Sequence, residues 1–276
     1  MSSPPNPQIT LFRGWKTPQK FVWSPYVTKL EARLRFGGLS DYITEAGSPR
    51  SAPRGKIPYI QLSPSPSSSN STVVHVLSDS TLITKSLCEA DILPDLSAGL
   101  SPIQRASDLA LRALLEDKLA FYNSWERWTQ NYHQMRDHVL SPIPYPIRIV
   151  IGLLAYRRTI TTLHGQGTGR LAPDEIVMFR GEIWQSFSDL LLDSRSKQKR
   201  KGEGEGEGED GEEPFWVLGG DDPTDADASL FGFVCSALIC TAGPDSQVEV
   251  KSLPVLVDYA CRIQRKYFPE YEPLPV

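Results

Sequence analysis

Apolar residues along this chain keep one rhythm up to about residue 95 and another beyond it. In the first stretch, short β-prone runs alternate with turn residues. ITLF at 9–12 predicts a first strand behind a proline-rich lead-in. A helix is predicted next: Ser24 and Pro25 suit its first turn, Val27, Leu30 and Leu34 recur at helical spacing, and Gly37 and Gly38 end it. A weaker strand signal lies near 41–44. KIPYIQL (56–62) and TVVHVL (72–77) predict two more strands, separated by the surface excursion SPSPSSSNS, and SDSTLITKSLCEA (78–90) reads as a helix. The predicted order is β-α-β-β-β-α.

From Pro102 onward the period is helical almost throughout. One long helix is predicted over 102–139, capped by Ser101, with Ile103, Ala106, Ala110, Ala113, Leu114 and Phe121 as its inner stripe. Further helices are predicted at 147–163, 173–193, 225–240 and 252–267. The fold class that follows is α/β plus all-α: a four-stranded mixed sheet with helices, then a helical bundle. The expected division is 1–95 and 96–276.

Between two helical stretches lies a segment of another kind. It carries five basic residues from Arg195 to Lys201 and seven acidic ones from Glu203 to Glu213, interleaved with glycine. Such a run has too little apolar surface to order itself, so 195–213 is expected to be a disordered charged loop.

Composition narrows the class of function. The chain has 276 residues, 40% hydrophobic and 22% charged, enough for two globular domains. A net charge of -4 argues against a nucleic-acid partner. Cys88, Cys235, Cys240 and Cys261 make neither a metal spacing nor a disulfide framework, so no metal is expected and the thiols suit a reducing compartment. The apolar stretches IRIVIGLLAY and ASLFGFVCSALICTAG fall short of the roughly 18–20 residues that span a bilayer. With no signal peptide in MSSPPNPQ, the expectation is a cytoplasmic protein without a membrane span.

Five local motifs then line up. SPYVTK (24–29) follows strand one, GKIPYI (55–60) precedes strand three, and LSDSTLI (77–83) opens the next helix. PTDADASLFGFV (223–234) pairs Thr224 with Asp227 in a capping box. LHGQGTGRLAPDEI, FWVLGG and DYACRIQRKYFPEY complete the set. In this order and spacing they resemble the glutathione S-transferase superfamily, and the last run resembles its failed-axon-connections and metaxin-like branch, including fungal members. The resemblance implies a thioredoxin-like domain followed by the all-helical domain of that family.

It also implies chemistry. Glutathione would be the co-substrate and a hydrophobic electrophilic small molecule its partner, in detoxification or secondary metabolism. Ser24 would donate a hydrogen bond to the glutathione sulfur and favour the thiolate; read from the residues alone, Ser24 before Pro25 is first of all a helix cap, and the family context is what assigns it the catalytic role. Tyr26 and Thr28 are the alternative hydroxyl donors. Serine at position 24 cannot form the mixed disulfide of cysteine-type relatives, which points to conjugation or addition rather than thiol reduction. A cis Ile57–Pro58 peptide would present the Ile57 backbone to the cysteinyl part of glutathione, Asp79 and Ser80 would hold its γ-glutamyl end, and Lys56 its glycyl carboxylate. Tyr26, Asp117, Trp125 and Trp128 are the expected walls of the substrate pocket. A homodimer is compatible with the resemblance. The competing expectation is a non-catalytic interaction protein of the metaxin-like type.

Overall fold

The computed structural model describes residues 7–64, 74–202 and 213–276. Strand β1 (Gln8–Phe12) is followed by α1 (Pro25–Phe36), β2 (Ile43–Glu45), β3 (Tyr59–Ser63), β4 (His75–Ser78) and α2 (Ser80–Glu89). The order within the sheet is β2-β1-β3-β4, with β1 parallel to β2 and antiparallel to β3, and β4 antiparallel to β3. The predicted β-α-β-β-β-α order therefore stands. Alternation places Ile9 and Leu11 on the inner face of β1, where they meet Ile60 of β3, Leu30 and Leu34 of α1, and Ile83 and Leu87 of α2. Of the linker expected between strands three and four, residues 65–73 lie outside the described residues.

Helix α1 is buried on more than one side: every residue from Val27 to Leu34 is buried, including Lys29, Glu31 and Arg33. The sheet covers one face and α8 (Asp225–Ile239) the other. Each buried charge has a partner. Lys29 pairs with Glu116 at 2.7 Å, Arg33 with Asp225 at 2.7 Å, and Glu31 accepts from Tyr271 at 2.8 Å and lies 3.2 Å from Arg13 Nε. Unpaired, such charges would cost several kcal/mol each.

The helical half runs through α3 (Pro102–Leu114), α4 (Ala120–Trp125), α5 (Tyr132–Val139), α6 (Tyr145–Gln166), α7 (Pro173–Gly202), α8, α9 (Pro244–Lys251) and α10 (Pro254–Tyr267). Helix α8 is its axis, buried from Ala226 to Leu238. Its N-terminus is capped from two directions. The Asp227 carboxylate accepts from the Thr224 N–H at 2.8 Å, as the capping motif predicts, while Asp108 of α3 accepts from the Ala226 N–H at 2.8 Å.

Three expectations need correction. The helix predicted over 102–139 is interrupted by π-helical turns at Leu115–Leu119 and Glu126–Gln130, and breaks at Asn131 before α5. These turns rotate the register, and the inward face of α3 is set by Asp108 reaching α8. Ile103 is 80% exposed, and Ala106 and Ala110 face outward, so the predicted stripe is internal only from its later members onward. The charged loop expected at 195–213 begins later, because α7 stays helical to Gly202. Lys197 pairs with Asp193 one turn back, and Arg195 with Asp258 of α10. Residues 203–212 lie outside the described residues. The helix predicted at 252–267 is found as α10, and the short helix α9 ahead of it was not predicted.

Candidate functional site

Most of the residues singled out from the sequence border one of two adjoining cavities at the seam between the halves. The first, about 520 Å³, is lined by Tyr26, Arg54, Lys56, Ile57, Pro58, Asp79, Ser80, Glu116, Asp117 and Phe121. The second, about 240 Å³, has walls from Trp15, Trp23, Ser24, Tyr26, Arg127, Trp128 and Phe233, among others. Tyr26 borders both.

The Ile57–Pro58 peptide is cis, and it leads directly into β3. Ile57 and Pro58 both line the first cavity. Opposite it, Asp79 is the N-cap of α2. Its Oδ1 accepts from the N–H groups of Thr81 (3.0 Å) and Leu82 (3.2 Å), so the capping role is real and occupies one carboxylate oxygen. Asp79 sits at φ 78°, a conformation that side chains rarely adopt and that costs on the order of 1–3 kcal/mol. Ser80 is buried at the first position of α2. Cations and anions stand on different elements around this cavity: Arg54 and Lys56 precede the cis peptide, while Asp79 and Asp117 come from the α2 cap and the first π turn. Glu116 is already engaged by Lys29 and by Ser229 Oγ at 2.8 Å.

Ser24 occupies the N-cap position of α1, yet its side chain makes no capping hydrogen bond. The hydroxyl thus lies at the positive end of a helix without being used by that helix. Neither of the other two hydroxyl candidates is placed as Ser24 is. Tyr26 donates to the Glu116 carbonyl at 3.3 Å, and burial, reinforced by Glu116, Asp117 and Asp79, pushes its phenol far above the ordinary range. It is a neutral phenol. Thr28 is fully buried inside α1 and reaches neither cavity, which removes it as a donor. Trp128 borders the second cavity as expected, but Trp125 packs against the main core and lines neither.

The sequence reading missed Arg54, Glu116 and Phe121 in the first cavity and Trp15, Trp23 and Arg127 in the second. Two of them had visible signals: Arg54 forms an R-G-K pair with Lys56 just ahead of the expected cis proline, and Arg127 interrupts the aromatic run WERW. Trp15 and Trp23 come from the loop between β1 and α1, whose path no periodicity encodes. In the structure, Trp23 stacks on His138 at 3.5 Å between ring centroids, and burial lowers the pKa of that imidazole, favouring its neutral form.

Among the described residues no single helix is long and apolar enough to cross a membrane, and no group of three or more candidate ligands could hold a metal. The four cysteines are free thiols. Residues 25–135 match the family of the glutathione S-transferase N-terminal domain. Among solved structures, the glutathione transferase GSTFuA3 of Phanerochaete chrysosporium is similar over 99% of this chain and 100% of its own, at 19% identity and a TM-score of 0.53. GSTFuA2 of the same organism aligns over 96% and 99% at 16% identity, TM-score 0.51. The β-etherase LigF of Sphingobium sp. strain SYK-6 aligns over 95% and 99% at 14% identity, TM-score 0.55. The chain is built on the glutathione S-transferase fold, a thioredoxin-like N-terminal domain followed by a helical C-terminal one, and its residues 25–135 are similar to the N-terminal domain family of those transferases.

Proposed function

We propose that the protein is a glutathione-dependent transferase of the serine type. Glutathione would lie in the first cavity, its cysteinyl backbone against Ile57 and the cis-Pro58 turn as an added strand. Its γ-glutamyl carboxylate would meet Ser80 at the start of α2, with Asp79 and Asp117 facing the ammonium group. Lys56, with Arg54 beside it, would take the glycyl carboxylate. That assignment matches the charges of the tripeptide to the charges around the cavity.

The observation that carries the reading is the Ser24 hydroxyl, left unused by its helix and bordering the cavity next to the one assigned to glutathione. There it would donate to the sulfur and favour the thiolate, which forms a bond to an electrophilic carbon of the second substrate. The thiol proton passes to solvent and any leaving group departs with the bonding electrons. The second cavity, apolar and walled by tryptophans, suits a hydrophobic electrophile; which one, and in detoxification or secondary metabolism, is set by chemistry beyond the fold. Solved proteins of this fold include glutathione transferases and a β-etherase, which supports the reaction class. The test is calorimetric titration with glutathione together with turnover of 1-chloro-2,4-dinitrobenzene. Binding with turnover that falls in Ser24→Ala supports the reading, and absence of glutathione binding overturns it.

One observation favours the second reading, an interaction protein. Helix α6 turns Ile147, Val150 and Leu154 outward, each more than half exposed, and such a face suits a protein partner. Retention on immobilised glutathione separates the two readings.

A further inference from the structure

We infer that Arg127 and Ser236 are positioning residues for the proposed reaction: from the helical half they fix the peptide that carries Ser24, and Arg127 sets a buried positive charge at the cavity that Ser24 borders. The inference rests on the assignment of Ser24 to the sulfur of bound glutathione.

The Trp23 carbonyl belongs to the peptide plane that joins Trp23 to Ser24. Two donors converge on its oxygen, Ser236 Oγ at 2.5 Å and Arg127 Nη1 at 3.2 Å. Arg127 Nη2 in turn donates to Ser236 Oγ at 3.0 Å, so the serine hydroxyl accepts from the guanidinium and donates to the carbonyl. Ser236 lies on α8 and Arg127 in the π turn at Glu126–Gln130. Neither residue belongs to the half of the molecule that carries Ser24. Because Ser24 makes no cap bond of its own, this clamp is what orients its peptide at the head of α1.

The charge follows from the partners. Glu126, the adjacent carboxylate, shares Arg180 with Glu249, each at 2.8 Å, and accepts from the N–H groups of Asp245 and Ser246. Among the described residues Arg127 has no ion-pair partner; its nitrogens meet only the Trp23 carbonyl and the carbonyl and hydroxyl of Ser236. It is nonetheless buried, 7% exposed, and borders the same cavity as Ser24. A buried cation with no direct ion pair favours a negative charge that forms nearby, and an opposite charge at close range lowers an acid's pKa by about 1–3 units. The π turn brings both Glu126 and Arg127 inward, one to hold α9 and the other to hold the Ser24 turn.

The test reads the ultraviolet thiolate absorbance of bound glutathione against pH, with glutathione affinity and melting temperature measured alongside. Arg127→Gln and Ser236→Ala should each shift the thiol's apparent pKa upward by about 1 unit, with affinity within about twofold of wild type. Arg127→Lys, which keeps the charge, and Ser236→Thr, which keeps the hydroxyl, should stay near the wild-type pKa. They also serve as the folded comparison if either of the first two variants fails to fold. A purely structural role would lower the melting temperature and leave the titration in place, and that result overturns the inference. If Ser24→Ala also leaves the titration unmoved, or wild type binds no glutathione, the assignment beneath it fails instead.

Discussion

Ser24 and Tyr26 border the same cavity and differ in what already holds them. Tyr26 spends its hydroxyl on the Glu116 carbonyl, whereas Ser24 has no partner within its helix. Ser24→Ala should therefore lower turnover by about 10-fold or more with glutathione affinity little changed, since a donor aimed at developing charge acts mainly on the chemical step. Tyr26→Phe should leave turnover close to wild type; steady-state kinetics on the two variants decides between them. Ser80→Ala should instead weaken glutathione binding, by about 1–3 kcal/mol, and calorimetry at wild-type affinity would remove it from the site. A different single residue governs a pH dependence of stability. Burial pushes the Asp227 carboxyl up to about 6, against the pull of the N–H groups of Val217 and Thr224 and the hydroxyls of Tyr259 and Thr224. The unfolded carboxyl titrates near about 3.9, so the folded state holds the proton more tightly. Its contribution favours folding in full below about pH 4 and is lost as pH rises through about 6, a change on the order of 3 kcal/mol. Asp227→Asn should flatten that slope in denaturant unfolding measured from pH 4 to 7. A pH-independent difference between the two proteins would show that the carboxyl does not titrate in this window.

At the scale of elements, the contact between α1 and α8 sets the site. A Cβ added at Gly232 of α8 would lie 2.4 Å from the Pro25 carbonyl and 2.9 Å from the Lys29 nitrogen, both main-chain atoms of the first turns of α1. Only glycine lets that turn lie so close, and the turn begins with Ser24. Gly232→Ala should push the helices apart and cost about 1–3 kcal/mol in stability, with a loss of turnover because Ser24 moves with the turn. A melting temperature and rate equal to wild type would show that the helices accommodate the methyl group freely. Elements of this kind explain what the sequence could and could not reveal. Strand alternation, the Ser24–Pro25 start, the Thr224–Asp227 cap and the helical period after residue 102 are local signals, and the structure bears them out. The π turns at Leu115–Leu119 and Glu126–Gln130 are not local signals, because they answer to contacts with Asp245, Ser246, Ser236 and Lys29 made from far along the chain. The inner face of α3 was misread for that reason. Ile103, predicted to lie in the inner stripe, is 80% exposed, and Ala106 and Ala110 of the same stripe are exposed as well.

For the whole molecule, the charged segment divides into a part that is held and a part that can be exchanged. Arg195 pairs with Asp258, Arg262 donates to the Glu213 carbonyl at 3.0 Å, and Lys266 pairs with Glu213. Replacing 203–212 with a short Gly-Ser linker should leave the melting temperature nearly unchanged, since loop closure changes by only about 0.6 kcal/mol per doubling of length. Replacing all of 195–213 should lower it, because these ties and the last turns of α7 go too. Equal melting curves for the two deletions would mean that the ties contribute nothing. The sandwiching of α1 has a consequence for divisibility. This helix belongs by sequence to the first half, yet Ala32 is buried in the core of the second, Tyr26 and Phe36 pack on that core, and Lys29, Arg33 and Glu31 find partners there. A fragment ending at residue 95 would put those apolar surfaces into water and lose those pairs, against a domain stability of only about 5–15 kcal/mol. Expressed alone it should show no cooperative melting, whereas the full chain should unfold in one calorimetric transition. The seam visible in the architecture is then not a seam in folding: the N-terminal half is no transferable cassette.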